Sequence, residues 1–103
     1  MVKTMGLFDT IKRENKTKKE AKWKQGLIHT IVELNDNHMQ LISSTQTDTI
    51  FYKDIKDIQL VRHIVNIKTN VKTFSLTAKR KHGGKDLANQ LYNDIIVKMG
   101  ENK

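Results

Sequence analysis

Apolar and polar residues alternate through the middle of the chain, over residues 50–78. β-Branched and aromatic side chains supply most of the apolar positions, and a period of two residues is typical of half-buried antiparallel strands. The pattern predicts four strands, at residues 50–52, 57–62, 64–69 and 72–78. Each strand has one apolar and one polar face, so the predicted sheet needs a cover on one side only.

Two earlier strands are predicted at residues 26–34 and 38–43, joined by the Asn-Asp-Asn turn at residues 35–37. After two glycines, Gly83 and Gly84, apolar residues recur at every fourth position as far as Met99. This spacing predicts an amphipathic helix over residues 86–99. We therefore expect an α+β, mainly β fold. Its core would be a bent antiparallel barrel of about six or seven strands, capped by the C-terminal α-helix.

The N-terminal region has a shorter apolar pattern, in which Leu7, Phe8 and Ile11 fall at helical spacing before lysines interrupt it. It predicts a short helical segment that either packs on the domain or lies on a membrane with its lysines at the headgroups. We divide the chain into a basic N-terminal arm, residues 1–25, and a barrel with its capping helix, residues 26–103. Trp23 is expected to anchor the arm by packing, and stacking on a nucleic-acid base is the alternative.

The distribution of charge adds a functional hypothesis to this outline. A chain of 103 residues fits one domain, and its net charge of +8 lies mostly in two segments, residues 1–25 and 79–85. Such patches attract nucleic acid, lipid headgroups or acidic protein surfaces, but they also simply keep a small domain in solution. The candidate anion-contacting residues are Lys79, Arg80, Lys81 and Lys85 of the second segment, with Lys18, Lys19 and Lys22 of the arm.

Several other classes of site are absent from the sequence. The chain has no cysteine, which excludes disulfides and thiolate metal sites, and no apolar run near the ~20 residues that span a bilayer. With no secretion signal recognisable, a cytoplasmic location is expected. Abundant Lys, Ile and Asn without Pro suggest an AT-rich coding source, such as a low-GC bacterium or one of its phages.

The sequence offers little for catalysis. The histidines, at positions 29, 38, 63 and 82, have no metal-binding spacing, although His29 and His38 on paired strands could approach each other. Asp54 and Asp57 are expected to form turns rather than a catalytic pair. Phosphate-binding loops, nucleophile elbows and zinc-protease motifs are missing. We expect no enzyme, no catalytic residue, no metal and no cofactor.

The order of these elements resembles that of the bacterial pleckstrin-homology-like (PH-like) family. The resemblance lies in a phrase of the type Ile-x-Tyr-x-Asp-Ile-x-x-Ile, here residues 50–58, followed by a strand meander and the closing helix. It covers residues 26–99 and implies a strongly bent, partly open barrel of about seven strands plugged by the helix. Only six strands are predicted, so the seventh should come from splitting residues 23–34 or from residues 47–52.

The resemblance also shapes the functional expectation. Family members that bind phosphoinositides use Lys and Arg between their first two strands, whereas the loop predicted here, residues 35–37, carries no positive charge. Other relatives use the frame to dock peptides or partner subunits. We therefore expect a non-enzymatic binding or adaptor module without a small-molecule substrate.

Its partner would be a protein, bound at a sheet edge or the open barrel end, or an anionic lipid surface. The alternative is a basic protein that binds the nucleic-acid backbone, or a phage-type inhibitor of nucleic-acid machinery.

Overall fold

The computed structural model describes residues 20–102. Within them, seven strands precede one α-helix, α1, at Lys85–Glu101, and short 3-10 helices occupy Tyr52–Asp54 and Arg80–His82. The strands are β1 Trp23–Gln25, β2 Ile28–Leu34, β3 His38–Ile42, β4 Thr47–Phe51, β5 Ile55–Val61, β6 Ile64–Thr69 and β7 Thr73–Ala78. No helix in this part of the chain is long and apolar enough to cross a bilayer.

The strands form a single curled sheet in the order β4-β3-β2-β1-β7-β6-β5, with every neighbouring pair antiparallel. The short strand β1 joins two three-stranded meanders, since Trp23 pairs with Thr30 of β2 on one side and with Ala78 of β7 on the other. The edges β4 and β5 are connected through the 3-10 turn at Tyr52–Asp54. This half-barrel capped by a C-terminal helix matches a PH-like fold, as the resemblance implied.

The core lies between the inner face of the sheet and α1. On the sheet it includes Val65, Ile67 and Leu76, which are completely buried at the alternate positions that the sequence pattern predicted. From α1, Leu91 and Ile95 enter the same cluster. The expectation that the helix covers the apolar face of the sheet is therefore confirmed.

Helix α1 runs from the end of β7 to the β2–β3 turn. At its C-terminal end the side-chain nitrogen Nδ2 of Asn102 donates to the Asp36 backbone carbonyl oxygen at 2.9 Å. The helix continues through Gly100 to Glu101, two residues past the predicted end. The reason is that the Asn102 N–H bonds back to the Lys98 and Met99 carbonyls, which closes the last turn.

Two strand predictions need correction. The strand predicted at residues 26–34 begins only at Ile28, because Gly26 takes a left-handed φ of 63° and reverses the chain between β1 and β2. The sheet therefore begins at Trp23, and β1 is the seventh strand, as expected from dividing residues 23–34. Strand β4 starts at Thr47 rather than at residue 50, since polar residues are compatible with an edge strand.

Trp23 itself packs in the core with 4% of its surface exposed, which confirms its predicted role as a packing anchor. The predicted N-terminal helical segment lies outside the described residues.

Candidate anion-binding site at the basic end of the barrel

Backbone hydrogen bonds bring three segments together where β7 ends. The Ala78 N–H donates to the His63 carbonyl at 2.9 Å, which ties β7 to the turn between β5 and β6. One residue later, the Lys79 N–H donates to the Lys22 carbonyl at 3.0 Å, just before β1. Side chains from the β5–β6 turn, from β1 and from the segment after β7 therefore share one end of the barrel.

The basic loop, residues 79–84, has a defined backbone path. The His82 and Gly84 N–H groups both donate to the Lys79 carbonyl, at 3.0 and 3.2 Å, and the loop makes one 3-10 turn. Gly83 and Gly84 then adopt φ values of 111° and 47°, which residues with a Cβ rarely adopt. The two glycines redirect the chain into α1, so the cationic side chains project from a loop held by its own backbone bonds.

These segments enclose two adjoining concavities. The first, which we call the basic pocket, has a volume of about 410 Å³ and is lined by four cationic side chains, two histidines and two small residues: Lys24, His29, His63, Thr77, Ala78, Lys79, Arg80 and Lys81. The second, of about 490 Å³, is lined by Arg62, His63, Arg80, Gly84 and Lys85. His63 and Arg80 border both, and within residues 20–102 no carboxylate lines either one. We call the cationic side chains and histidines of the two concavities the basic cluster.

The charges of this cluster are uncompensated. Among residues 20–102, none of its Lys or Arg side chains lies within ion-pairing distance of a carboxylate. The nearby acid, Glu20, approaches His82 instead, with Oε1 at 3.4 Å from Nε2. The surrounding positive charge lowers the pKa of His29: Lys79 has the largest effect, followed by desolvation and then by Lys24 and Lys81. Such a concentration of one sign of charge favours a bound anion.

Arg62 occupies its place in the cluster with a strained backbone. It forms a two-residue turn with His63 between the paired residues Val61 and Ile64. Its φ is 57°, and it is the one non-glycine residue with positive φ in the part of the chain that the structure describes. Hairpin turns of this length usually place Gly, Asn or Asp at such positions, because a Cβ makes the left-handed conformation unfavourable.

An apolar groove adjoins the basic pocket. Its volume is about 1120 Å³, and its apolar lining comes from Leu27, Ile28, Ile31 and Ile42, with the hydroxyls of residues 43–45 at the rim. Leu27 and Ile28 are 90% and 43% exposed, and His29 lines the groove and the basic pocket alike. Exposed apolar surface and positive charge thus meet at the β1–β2 turn.

The predicted site residues separate into three groups. Lys79, Arg80 and Lys81 converge on the basic pocket, and Lys85 lines the second concavity. Lys22 lines a different depression, beside Trp23 and Val32. Lys18 and Lys19 lie outside the described residues.

Sequence reasoning missed three members of the cluster, His29, Arg62 and His63, and placed Lys24 only in the basic arm. The available signal was Gly26, because a turn there pairs β1 with β2 and sets Lys24 opposite His29. The loop between the first two strands was also predicted wrongly. The first two strands are joined by residues 26–27, and not by residues 35–37.

The histidine and carboxylate pairs considered from the sequence do not form sites. His29 lies opposite Lys24 and His38 opposite Phe51, at distant ends of their strands, so the idea that the two approach each other was wrong. Over residues 20–102 no group of three or more His, Asp or Glu side chains could hold a metal ion. Asp57 lies within β5 rather than in a turn, and its carboxylate accepts the N–H of the next residue, Ile58, at 2.9 Å.

The sheet edges named as possible protein contacts are present. Among the described strands, β4 pairs only with β3, and β5 only with β6. Beside β4, a groove of about 450 Å³ contains Phe51 and Val71, both exposed. The edge β5 carries a bulge between Ile55 and Asp57, and bulges hinder the addition of another strand.

Comparison with known proteins gives no relative, since no family model, curated protein or solved structure matches this chain.

Proposed function

We propose that this chain is a non-enzymatic binding module of the PH-like family, and that it holds an anionic partner against the basic cluster. The observation that carries the proposal is the convergence of Lys and Arg side chains from β1, the β5–β6 turn and the basic loop, with no carboxylate from the described part of the chain among the lining residues. Like charges held this close repel one another, and a bound anion relieves the repulsion.

Two backbone features support a functional rather than a purely solubilising role for these charges. A lysine that only maintains solubility needs no particular conformation, whereas Arg62 adopts a φ of 57° that is unfavourable for a residue with a Cβ. Strained positions of this kind concentrate at binding and catalytic sites. The left-handed glycines that end the basic loop likewise define the path of its backbone into α1.

The neighbouring apolar groove supports a protein as the partner. Protein interfaces combine apolar and polar surface, and the groove is lined by apolar side chains and by hydroxyls, beside the charges. Its concave shape suits projecting side chains better than a flat bilayer. Nucleic-acid binding gains less support, because stacking needs exposed aromatic rings and Trp23 is buried. The proposed partner is an acidic protein surface that also offers apolar side chains.

The experiment compares two triple variants of equal charge. Lys79→Gln, Arg80→Gln and Lys81→Gln together remove three charges from the basic pocket, and Lys53→Gln, Lys56→Gln and Lys68→Gln remove three exposed charges elsewhere. The probes are an acidic peptide containing Leu and Phe, vesicles containing phosphatidylserine, and a short DNA duplex. We expect the first variant to lose about tenfold or more in affinity for the peptide, as truncation of interfacial charges commonly does. The second should bind like the parent chain.

A further variant, Leu27→Ser, separates the partners. It should weaken binding of the peptide but leave binding of DNA unchanged, because phosphate contacts are electrostatic. Tighter binding to DNA than to the peptide, with a steep salt dependence and no effect of Leu27→Ser, would favour the nucleic-acid alternative. Equal losses in the two triple variants, or no binding to any probe at low salt, would refute the basic cluster as the site.

A further inference from the structure

Two histidines stand among the cations of the basic pocket. His29 reaches it from β2, directly opposite Lys24 of β1. His63 reaches it from the β5–β6 turn, and its carbonyl holds the end of β7 in place through the Ala78 N–H. Both imidazoles thus line one concavity of about 410 Å³ with Lys79 and Lys81.

We infer that the basic pocket is a proton-linked oxyanion site, in which His29 becomes a cationic ligand of a bound carboxylate, phosphate or sulfate group and His63 lies beside it. This inference rests on the proposed function, because it requires that an anion binds there. It adds a binding residue and a direction of regulation: the affinity increases as the pH falls.

The groups that face His29 determine the sign of the effect. Lys24 comes from β1, Lys79, Arg80 and Lys81 from the basic loop, and His63 from the β5–β6 turn. The acid on the neighbouring groove is Glu20, which contacts His82 at 3.4 Å. No carboxylate of residues 20–102 lines the pocket, and a bound anion would supply negative charge next to the imidazole.

The proton balance follows from this arrangement. In the free protein Lys79, with smaller effects of desolvation, Lys24 and Lys81, holds the pKa of His29 below its ordinary value of 6.5, which disfavours the protonated imidazole. An oxyanion offsets the repulsion by the lysines and raises the pKa. The complex therefore binds more protons than the free protein over a window around and below pH 6.5. By linkage, the anion binds more tightly as the pH decreases through that window.

The test uses a heparin-derived oligosaccharide, because its sulfates do not titrate in the range where imidazole does. Titration calorimetry in two buffers of different ionisation enthalpy measures the protons taken up on binding. We expect uptake of a fraction of a proton up to about one, and an affinity at least about threefold higher at about pH 5.5 than at about pH 7.5. A phosphorylated peptide and an acidic peptide, titrated in the same way, distinguish the sources of the oxyanion.

The variant His29→Gln should still bind at neutral pH but lose most of the proton uptake. His38→Gln, on a distant part of the sheet, is the matched control and should retain it. Binding without proton uptake, or uptake that survives His29→Gln, would overturn this inference and leave the proposed function standing. Absence of binding at every pH would instead refute the proposed function itself.

Discussion

The strained turn at Arg62 gives the sharpest prediction, because two variants with the same charge isolate its backbone conformation. The left-handed conformation destabilises the folded state by about 1–2 kcal/mol for a residue with a Cβ, whereas glycine adopts it freely. Glycine also gains about 0.5–1 kcal/mol more freedom in the unfolded chain, which offsets part of the benefit. We therefore expect Arg62→Gly to be more stable than Arg62→Ala by about 0.5–1 kcal/mol.

For a domain of this size, 1 kcal/mol corresponds to about 4–8 °C in Tm, so the difference between Arg62→Gly and Arg62→Ala should be about 2–8 °C. Thermal and urea unfolding followed by circular dichroism measure it, with an unchanged urea dependence as the sign that the surface exposed on unfolding is the same. Both variants should weaken binding of the acidic peptide equally, because both lack the guanidinium, while Arg62→Lys should bind nearly as the parent chain. An Arg62→Gly variant no more stable than Arg62→Ala would refute the claim that this turn is strained.

Two further predictions concern the packing beneath the site. Ile95→Ala should destabilise the fold by about 2–5 kcal/mol, because Ile95 is fully buried between α1 and the sheet. Val97, on the same helix, is 58% exposed, so Val97→Ala should change stability by less than about 0.5 kcal/mol. Urea unfolding checks both, and equal effects would contradict the role of α1 as a cover. Tyr52→Phe should cost about 0.5–1.5 kcal/mol, because the buried Tyr52 hydroxyl donates to the Asn35 carbonyl at 2.8 Å. Tyr92→Phe is its control, and a similar loss there would show that the hydroxyl bond of Tyr52 is not responsible.

The sequence predicts most of the fold because the apolar periods are strong where the core is formed. Alternation places Val65, Ile67 and Leu76 inside, and the helical period does the same for Leu91 and Ile95. The failures occur where one residue decides the backbone path. A single glycine, Gly26, divides β1 from β2, and the pattern of hydrophobic residues carries no information about its φ.

The candidate site is less predictable from sequence because it is assembled by pairing between distant strands. A run of cations marks residues 79–85, but Lys24 lies at the end of the basic arm and Arg62 is surrounded by ordinary sequence. They enter the cluster only because β7 lies between β1 and β6. Strand order, which local patterns do not encode, thus determines which charges meet.

The position of β1 also has a consequence for how the molecule is made. Each meander, β2 to β4 and β5 to β7, is built from neighbouring hairpins that can form as soon as they are synthesised. Trp23, in contrast, can pair with Ala78 only after Ala78 has been synthesised. On the ribosome, the joint between the meanders is therefore among the last parts to close. Because Lys24 and Thr77 form that joint and line the basic pocket, a nascent chain acquires its anion-binding surface only on completing its longest-range strand pairing.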